Sequence, residues 1–408
     1  MRPFSILFAL VLSLTIDAQQ TIDLSGTWQF RSEREQGTVV LPGSMLTNGK
    51  GDPVSVHTQW TGSLYDSSFY FNPYMEKYRH EGQMKFPFFL TPERHYVGYA
   101  WYERTVVVPK AWKKRRVVLF LERPHIETTV SINGHEVGHQ TSLSVPHQYD
   151  VTPYLKFGKE NRIVIQVYNG IENVCVGQDS HSVTDQTQGN WNGVVGRIEL
   201  QSAPMIWRKR VVPHLEEGTV DIVVNDATYN FELGADTVLW DEFHPQLYTR
   251  TVTYEGVQVP VSFGLRTIRV EGPQLYINDR PIFLRGTVGN CCFPETGYPP
   301  TDEASWERVL GRCKEYGINH IRFHSYCPPD VAFTVADRLG LYLQPEGPSW
   351  PNHGVKLRRG MAIDQYLLDE GRRIIDTYGH HPSFTMMVAG NEPKLRSEER
   401  RVGKECRS

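Results

Sequence analysis

The chain has 408 residues, 39% of them hydrophobic and 22% charged, with a formal net charge of -3. That balance suits a soluble multidomain protein and excludes a disordered polyelectrolyte or a basic nucleic-acid binder. Its 34 glycines and 26 prolines favour turn-rich β structure over a helical bundle.

Arg2, an almost wholly apolar stretch over residues 4–16 and then Ile16-Asp17-Ala18 read as an export signal, residues 1–18, cleaved before Gln19. The stretch is too short to span a bilayer comfortably, and no later segment resembles a membrane helix. A periplasmic or extracellular location follows, with no membrane partner. The six cysteines are Cys175, Cys291, Cys292, Cys313, Cys327 and Cys406. They are too sparse and uneven for a disulfide scaffold, and no paired spacing suggests zinc. Export permits a bridge from Cys291 or Cys292 to Cys327, but buried free thiols are the expected state.

Residues 19–203 alternate short β runs with turn residues. Strands are expected over 100–108, 116–122, 127–132 and 162–168, with Asn133-Gly134 as a tight hairpin turn. No segment of helical period interrupts them, so the region reads as an antiparallel sandwich of jelly-roll type. A smaller β region, 204–273, offers strands over 220–224, 246–254 and 257–270, enough for a reduced immunoglobulin-like β-sandwich.

From residue 274 the pattern changes to strand and helix in alternation. Strands are expected over 282–286, 318–323, 341–343 and 384–389. Helices are expected over 305–316, 329–339 and 363–378, the first with Trp306, Val309, Leu310 and Cys313 on one face. Four strands with three intervening helices match the first half of a TIM (β/α)8 barrel. The fold class is therefore multidomain β plus α/β. A full barrel needs roughly 250 residues, and only about half as many follow residue 282. Residues 274–395 thus read as a partial barrel. Residues 396–408, RSEERRVGKECRS, lack apolar periodicity and read as a non-native tail.

Barrel enzymes keep their chemistry at the C-terminal ends of the strands. Three such ends carry polar groups here: Arg322 and His324 after the second strand, Glu346 after the third, and Asn391 and Glu392 in Gly390-Asn391-Glu392-Pro393 after the fourth. With Trp350 nearby they converge on one rim. Aromatic faces cover the apolar faces of pyranoses while charged and amide groups bind hydroxyls, so the set looks like a sugar site. Taken singly, Arg322 and Glu346 read better as a structural ion pair, and Trp350 as loop packing; only their convergence favours the sugar site.

The order of several segments, from Ile22 to Pro393, resembles glycoside hydrolase family 2, the β-galactosidase and β-glucuronidase family. These are Ile22-Asp23-Leu24-Ser25-Gly26-Thr27-Trp28, Leu41-Pro42-Gly43-Ser44-Met45, Tyr99-Ala100-Trp101-Tyr102-Glu103-Arg104, Val130-Ser131-Ile132-Asn133-Gly134, Phe263-Gly264-Leu265-Arg266 and Leu284-Arg285-Gly286. The resemblance implies a retaining β-glycosidase with two glutamates. Glu392 would be the catalytic acid/base and Asn391 would bind the sugar 2-hydroxyl, with Arg322, His324, Glu346 and Trp350 as further substrate-binding residues. The nucleophile would come from a later strand, outside this C-terminally truncated chain, which is expected to be inactive by itself. Two departures stand out: the histidine of Arg322-Phe323-His324-Ser325-Tyr326 is shifted by one place from the family pattern, and the immunoglobulin-like region is short.

A β-galactosidase-like activity on terminal β-linked sugars is the leading expectation, with β-glucuronidase or β-galacturonidase as the alternative. A non-catalytic carbohydrate-binding protein is the alternative of another class. The expected partner is a carbohydrate substrate, with no cofactor, no metal and no nucleic acid, and a homo-oligomer is open for the full-length protein.

Overall fold

The structure, a computed structural model, describes residues 17–55, 58–61, 73, 76, 92–174, 176–177, 180–185, 187, 190–350, 360 and 362–392. The apolar leader up to residue 16, Cys175, Cys406, Pro393 and the tail 396–408 lie outside the described residues.

The N-terminal unit is a sandwich of two sheets. One has six antiparallel strands, ordered His135–Thr141, Glu127–Ile132, Glu160–Tyr168, Tyr99–Val107, Gly26–Ser32 and Gln36–Leu41. The other runs His147–Asp150, Val118–His125, Gly193–Ser202 and Gln20–Asp23, with Gly43–Ser44 joined to the third of these. Alternation builds the interior, because successive side chains of a strand point to opposite faces. Trp28 and Phe30 enter it from one strand, and Ile163, Ile165 and Val167 from another. Leu119, Leu121, Ile198 and Leu200 of the second sheet close the same core. The hairpin turn falls at Asn133-Gly134, both with positive φ (53° and 87°), as a tight two-residue turn requires. The strand expected to end at residue 122 runs on to His125. Arg123 and His125 are buried but satisfied: Arg123 donates to the carbonyls of Leu143 and Cys327 (both 2.9 Å), and His125 pairs with Asn190.

A second, smaller β unit follows. Lys209–His214, Thr219–Val224 and Ala227–Glu232 form a meander, and Tyr248–Tyr254 pairs with Val257–Phe263, to which Asp17–Ala18 adds in parallel. Val220, Ile222, Val252, Val261 and Phe263 form their common core. The strand expected over 257–270 is broken at Gly264, where a Cβ would meet the Trp240 side chain at 2.8 Å. Ile268–Glu271 instead joins Gln274–Ile277 and Arg280–Pro281 in a separate small sheet.

The C-terminal unit alternates strand and helix. Gly286–Gly289, His320–Phe323 and Tyr342–Gln344 form a parallel sheet, with helices Glu303–Glu315, Asp330–Leu339 and Ala362–Tyr378. Asp302 caps the first helix by accepting from the Ser305 N–H at 2.9 Å, and Gly340 ends the second in a left-handed conformation. Three expectations need correction. The first strand begins four residues later than expected, because Ile282 and Leu284 pack on Trp240, Ile277 and Tyr342 at the junction with the preceding unit. Val309 is 43% exposed whereas Trp306 and Leu310 are buried, and with Cys313 all of them line one open apolar cleft of about 670 Å3. Residues 384–389 form no continuous strand; they are tied to the third strand by two isolated parallel bridges, Leu343 to Phe384 and Glu346 to Val388. Pro345 lies between those bridges and has no N–H to donate, which removes one rung of a regular ladder.

The units lock together through buried polar contacts. Glu370, fully buried, accepts from Ser142 Oγ (2.8 Å) and the Leu143 N–H (2.9 Å) of the first sandwich. Arg266 of the second unit donates to the carbonyls of Pro382 (2.5 Å) and Phe384 (2.6 Å).

Candidate functional site

The rim at the C-terminal ends of the parallel strands holds all six residues singled out in the sequence. Arg322, the third residue of its strand, sends Nε to Glu346 Oε1 at 2.5 Å and Nη2 to Asn391 Oδ1 at 2.8 Å. Glu346 has no exposed surface, and its other oxygen accepts the Ser325 N–H at 2.7 Å. Both its oxygens are therefore taken, and it holds Arg322 and the Ser325 corner from behind the rim. A carboxylate with charged and backbone donors on both oxygens is well satisfied despite burial.

Asn391 is 6% exposed, and its own N–H donates to the Ser349 carbonyl at 2.8 Å. Because a guanidinium only donates, Arg322 fixes Oδ1 of Asn391 as the acceptor and leaves the amide Nδ2 as a donor. Gly390 brings this about. It has φ +155°, and a Cβ there would lie 2.4 Å from the Ser349 carbonyl oxygen. Glu392 follows at φ +46° and is exposed, with Oε2 accepting the indole N–H of Trp350 at 3.0 Å.

His324 stands between these groups and a segment of the N-terminal sandwich. Its ring stacks on His181 with centroids 4.2 Å apart, and it meets Trp350 edge-on at 4.8 Å. The segment is pinned to the rim at several points. The Trp350 N–H donates to the Val176 carbonyl (3.2 Å), Ser180 Oγ to that of Pro348 (3.1 Å), and Ser182 Oγ to that of Ser325 (2.7 Å). Burial lowers the pKa of His324, and burial together with the neighbouring His324 brings His181 down to about 3, so both rings are neutral near pH 7.

Sequence reading gave His181 and its neighbours no place in the rim. They lie about 140 residues before the rim, in a polar Ser180-His181-Ser182 run that carries no motif of its own. Among the described residues Cys291, Cys292, Cys313 and Cys327 form no disulfide, so no bridge joins Cys291 or Cys292 to Cys327. The arrangement can bind a polyol: an amide donor, an imidazole, an indole and an exposed carboxylate share one mouth, and a guanidinium is held rigid beneath them.

Residues 21–204 match the family profile described as "Glycosyl hydrolases family 2, sugar binding domain". A β-galactosidase of Arthrobacter sp. (strain B7) is 23% identical over 91% of this chain and 40% of its own length. A putative β-glucuronidase of Formosa agariphila is also 23% identical, over 72% of this chain and 40% of its own. The chain thus spans about 40% of the length of these relatives. The β-D-glucuronidase of Dictyoglomus thermophilum superposes with a TM-score of 0.70 at 19% identity, over 96% of this chain and 71% of that one. A β-glucuronidase from Ruminococcus gnavus, in complex with an N1-substituted uronic isofagomine, gives 0.69 at 18% identity over 96% and 70%. Residues 21–204 thus match a family 2 sugar-binding domain, and β-galactosidase and β-glucuronidase relatives align along most of the chain.

Proposed function

We propose that the protein is an exported retaining β-glycosidase that removes terminal β-linked sugars, β-galactosidase-like in its preference. Its units on this reading are a jelly-roll sandwich, an immunoglobulin-like sandwich and the first four strands of a catalytic (β/α)8 barrel. The observation that carries the reading is the pairing of Asn391 with Glu392 at the rim, one fixed as an amide donor by Arg322 and the other exposed in the mouth.

Glu392 then protonates the leaving glycosidic oxygen and afterwards takes a proton from the water that resolves the glycosyl-enzyme. Asn391 Nδ2 donates to the 2-hydroxyl, a contact that strengthens as the oxocarbenium-like transition state forms. The nucleophilic carboxylate belongs to a later strand of the complete barrel, about 5 Å from the acid/base in retaining enzymes. A β-glucuronidase is the second reading, favoured by the solved relatives named above.

The test is a version extended to the length of its relatives, assayed on aryl β-galactosides and aryl β-glucuronides. Glu392→Gln should lower kcat by about a hundredfold or more with the fold unchanged. Turnover that survives the substitution defeats the acid/base assignment. Sugar binding without turnover in the extended protein favours a non-catalytic carbohydrate-binding role.

A further inference from the structure

We propose that His181, carried by the N-terminal sandwich, is a positioning residue of the rim. With Ser325 it fixes His324 in one orientation and one tautomer, the one bearing its hydrogen on Nε2. The inference deepens the sugar-site reading and rests on it for the identity of the ligand.

Ser325 is fully buried and sits at a corner with φ +51°. Its Oγ accepts the His181 N–H at 2.8 Å, since a backbone N–H can only donate. The hydroxyl hydrogen then needs an acceptor of its own, because a buried unsatisfied donor is costly. Among the described residues the remaining partner is His324 Nδ1, at 3.3 Å. Donation from Ser325 to Nδ1 of a neutral ring leaves the ring hydrogen on Nε2. That atom has no hydrogen-bond partner among the described residues and is not among the buried unsatisfied ones, so it remains open as a donor to a sugar oxygen. The His181 ring, stacked at 4.2 Å with an interplanar angle of 27°, stops the His324 ring from turning away. His181 reaches the sugar only through His324.

The experiment is long-range 15N–1H NMR on the 15N-histidine-labelled 408-residue chain at pH 7, with His324 assigned by substitution. It is paired with calorimetric titration of D-galactose and D-glucuronate. His324 should appear as the Nε2–H tautomer. Ser325→Ala should turn it into a mixture and weaken sugar binding about fivefold to tenfold, the value of one neutral hydrogen bond. His181→Ala, which keeps the backbone N–H and removes only the stacked ring, should weaken binding by a similar factor and leave the tautomer unchanged, while His181→Phe, which restores the stack, recovers most of the loss. An Nδ1–H tautomer in the unsubstituted chain overturns the proposal, as does an unchanged tautomer in Ser325→Ala. If the unsubstituted chain binds neither sugar, the sugar-site reading fails, and the tautomer still decides the role of His181 and Ser325.

Discussion

Trp350 gives its indole N–H to the Glu392 carboxylate at 3.0 Å, although neither residue lies in a regular helix or strand. Two loops that leave different strand ends are thereby joined at the point where the carboxylate meets solvent. Trp350→Phe keeps the ring beside His324 and removes the donor. Affinity for the preferred monosaccharide should fall about fivefold, one hydrogen bond's worth, while the melting temperature stays within a degree or two. Calorimetric titration and a thermal scan check both halves.

Glu346 is expected to matter for stability more than Glu392. Its removal in Glu346→Ala leaves Arg322 and the Ser325 N–H without their acceptor. A fully buried pair broken in this way costs about 3–5 kcal/mol. Arg322 keeps a third of its side chain in solvent, which lowers the expected loss to about 2–3 kcal/mol. Glu392→Gln, at an exposed position, should stay within about 0.5 kcal/mol of the parent. Urea unfolding followed by tryptophan fluorescence separates the two.

Gly390 tests the geometry of the rim directly. A methyl group there collides with the Ser349 carbonyl, so Gly390→Ala must shift the chain that carries Asn391. The expected result is loss of the Arg322–Asn391 contact and sugar affinity reduced by at least tenfold, with the two sandwich units intact. A crystal structure of the variant with Asn391 unmoved contradicts this.

Stability should fall on both sides of neutrality for different reasons. Burial holds His125, His147 and His181 neutral, each with a pKa of about 3. Unfolded histidines titrate near 6.5, so the stability these three contribute is complete above that value and is lost as the pH falls from 6.5 toward 3. His381 behaves oppositely. Burial would lower its pKa, but Asp337, at 2.6 Å, and Asp330 outweigh that and raise it to about 9. Its contribution is complete below pH 6.5 and fades as the pH rises through 9. Melting temperatures from pH 4 to 10 should trace a dome, and His381→Gln should flatten only its alkaline side.

Much of this was legible in the sequence where periodicity and turn chemistry agreed. The Asn133-Gly134 hairpin follows from turn chemistry and the strand around Ile163 from alternation, while the strand around Trp28 follows from the resemblance of its segment. The rim residues were legible because strand ends in a strand–helix alternation are predictable places. Errors arose where tertiary packing used apolar residues for another purpose. Ile282 and Leu284 read as a barrel strand, yet they fill the joint beneath Trp240. Phe384 to Ala389 read as a ladder, but Pro345 opposite it breaks the pairing. The place of His181 in the rim was not legible because its partner Ser325 is 144 residues away and no local pattern announces such a contact.

Arg123 has a consequence of another kind. One guanidinium reaches the carbonyl of Leu143 within its own sandwich and that of Cys327 at the mouth of the strand–helix unit. Glu370 grips the same sandwich from the opposite direction. The cut points that a domain parser would choose, near residues 204 and 274, therefore do not divide the molecule into transplantable parts. A chimera that borrows the strand–helix unit from a relative inherits half of a rim whose other half stays behind with the donor's sandwich. Recombination with its relatives should succeed when residues 118–200 travel together with residues 286–392, and fail when they are parted.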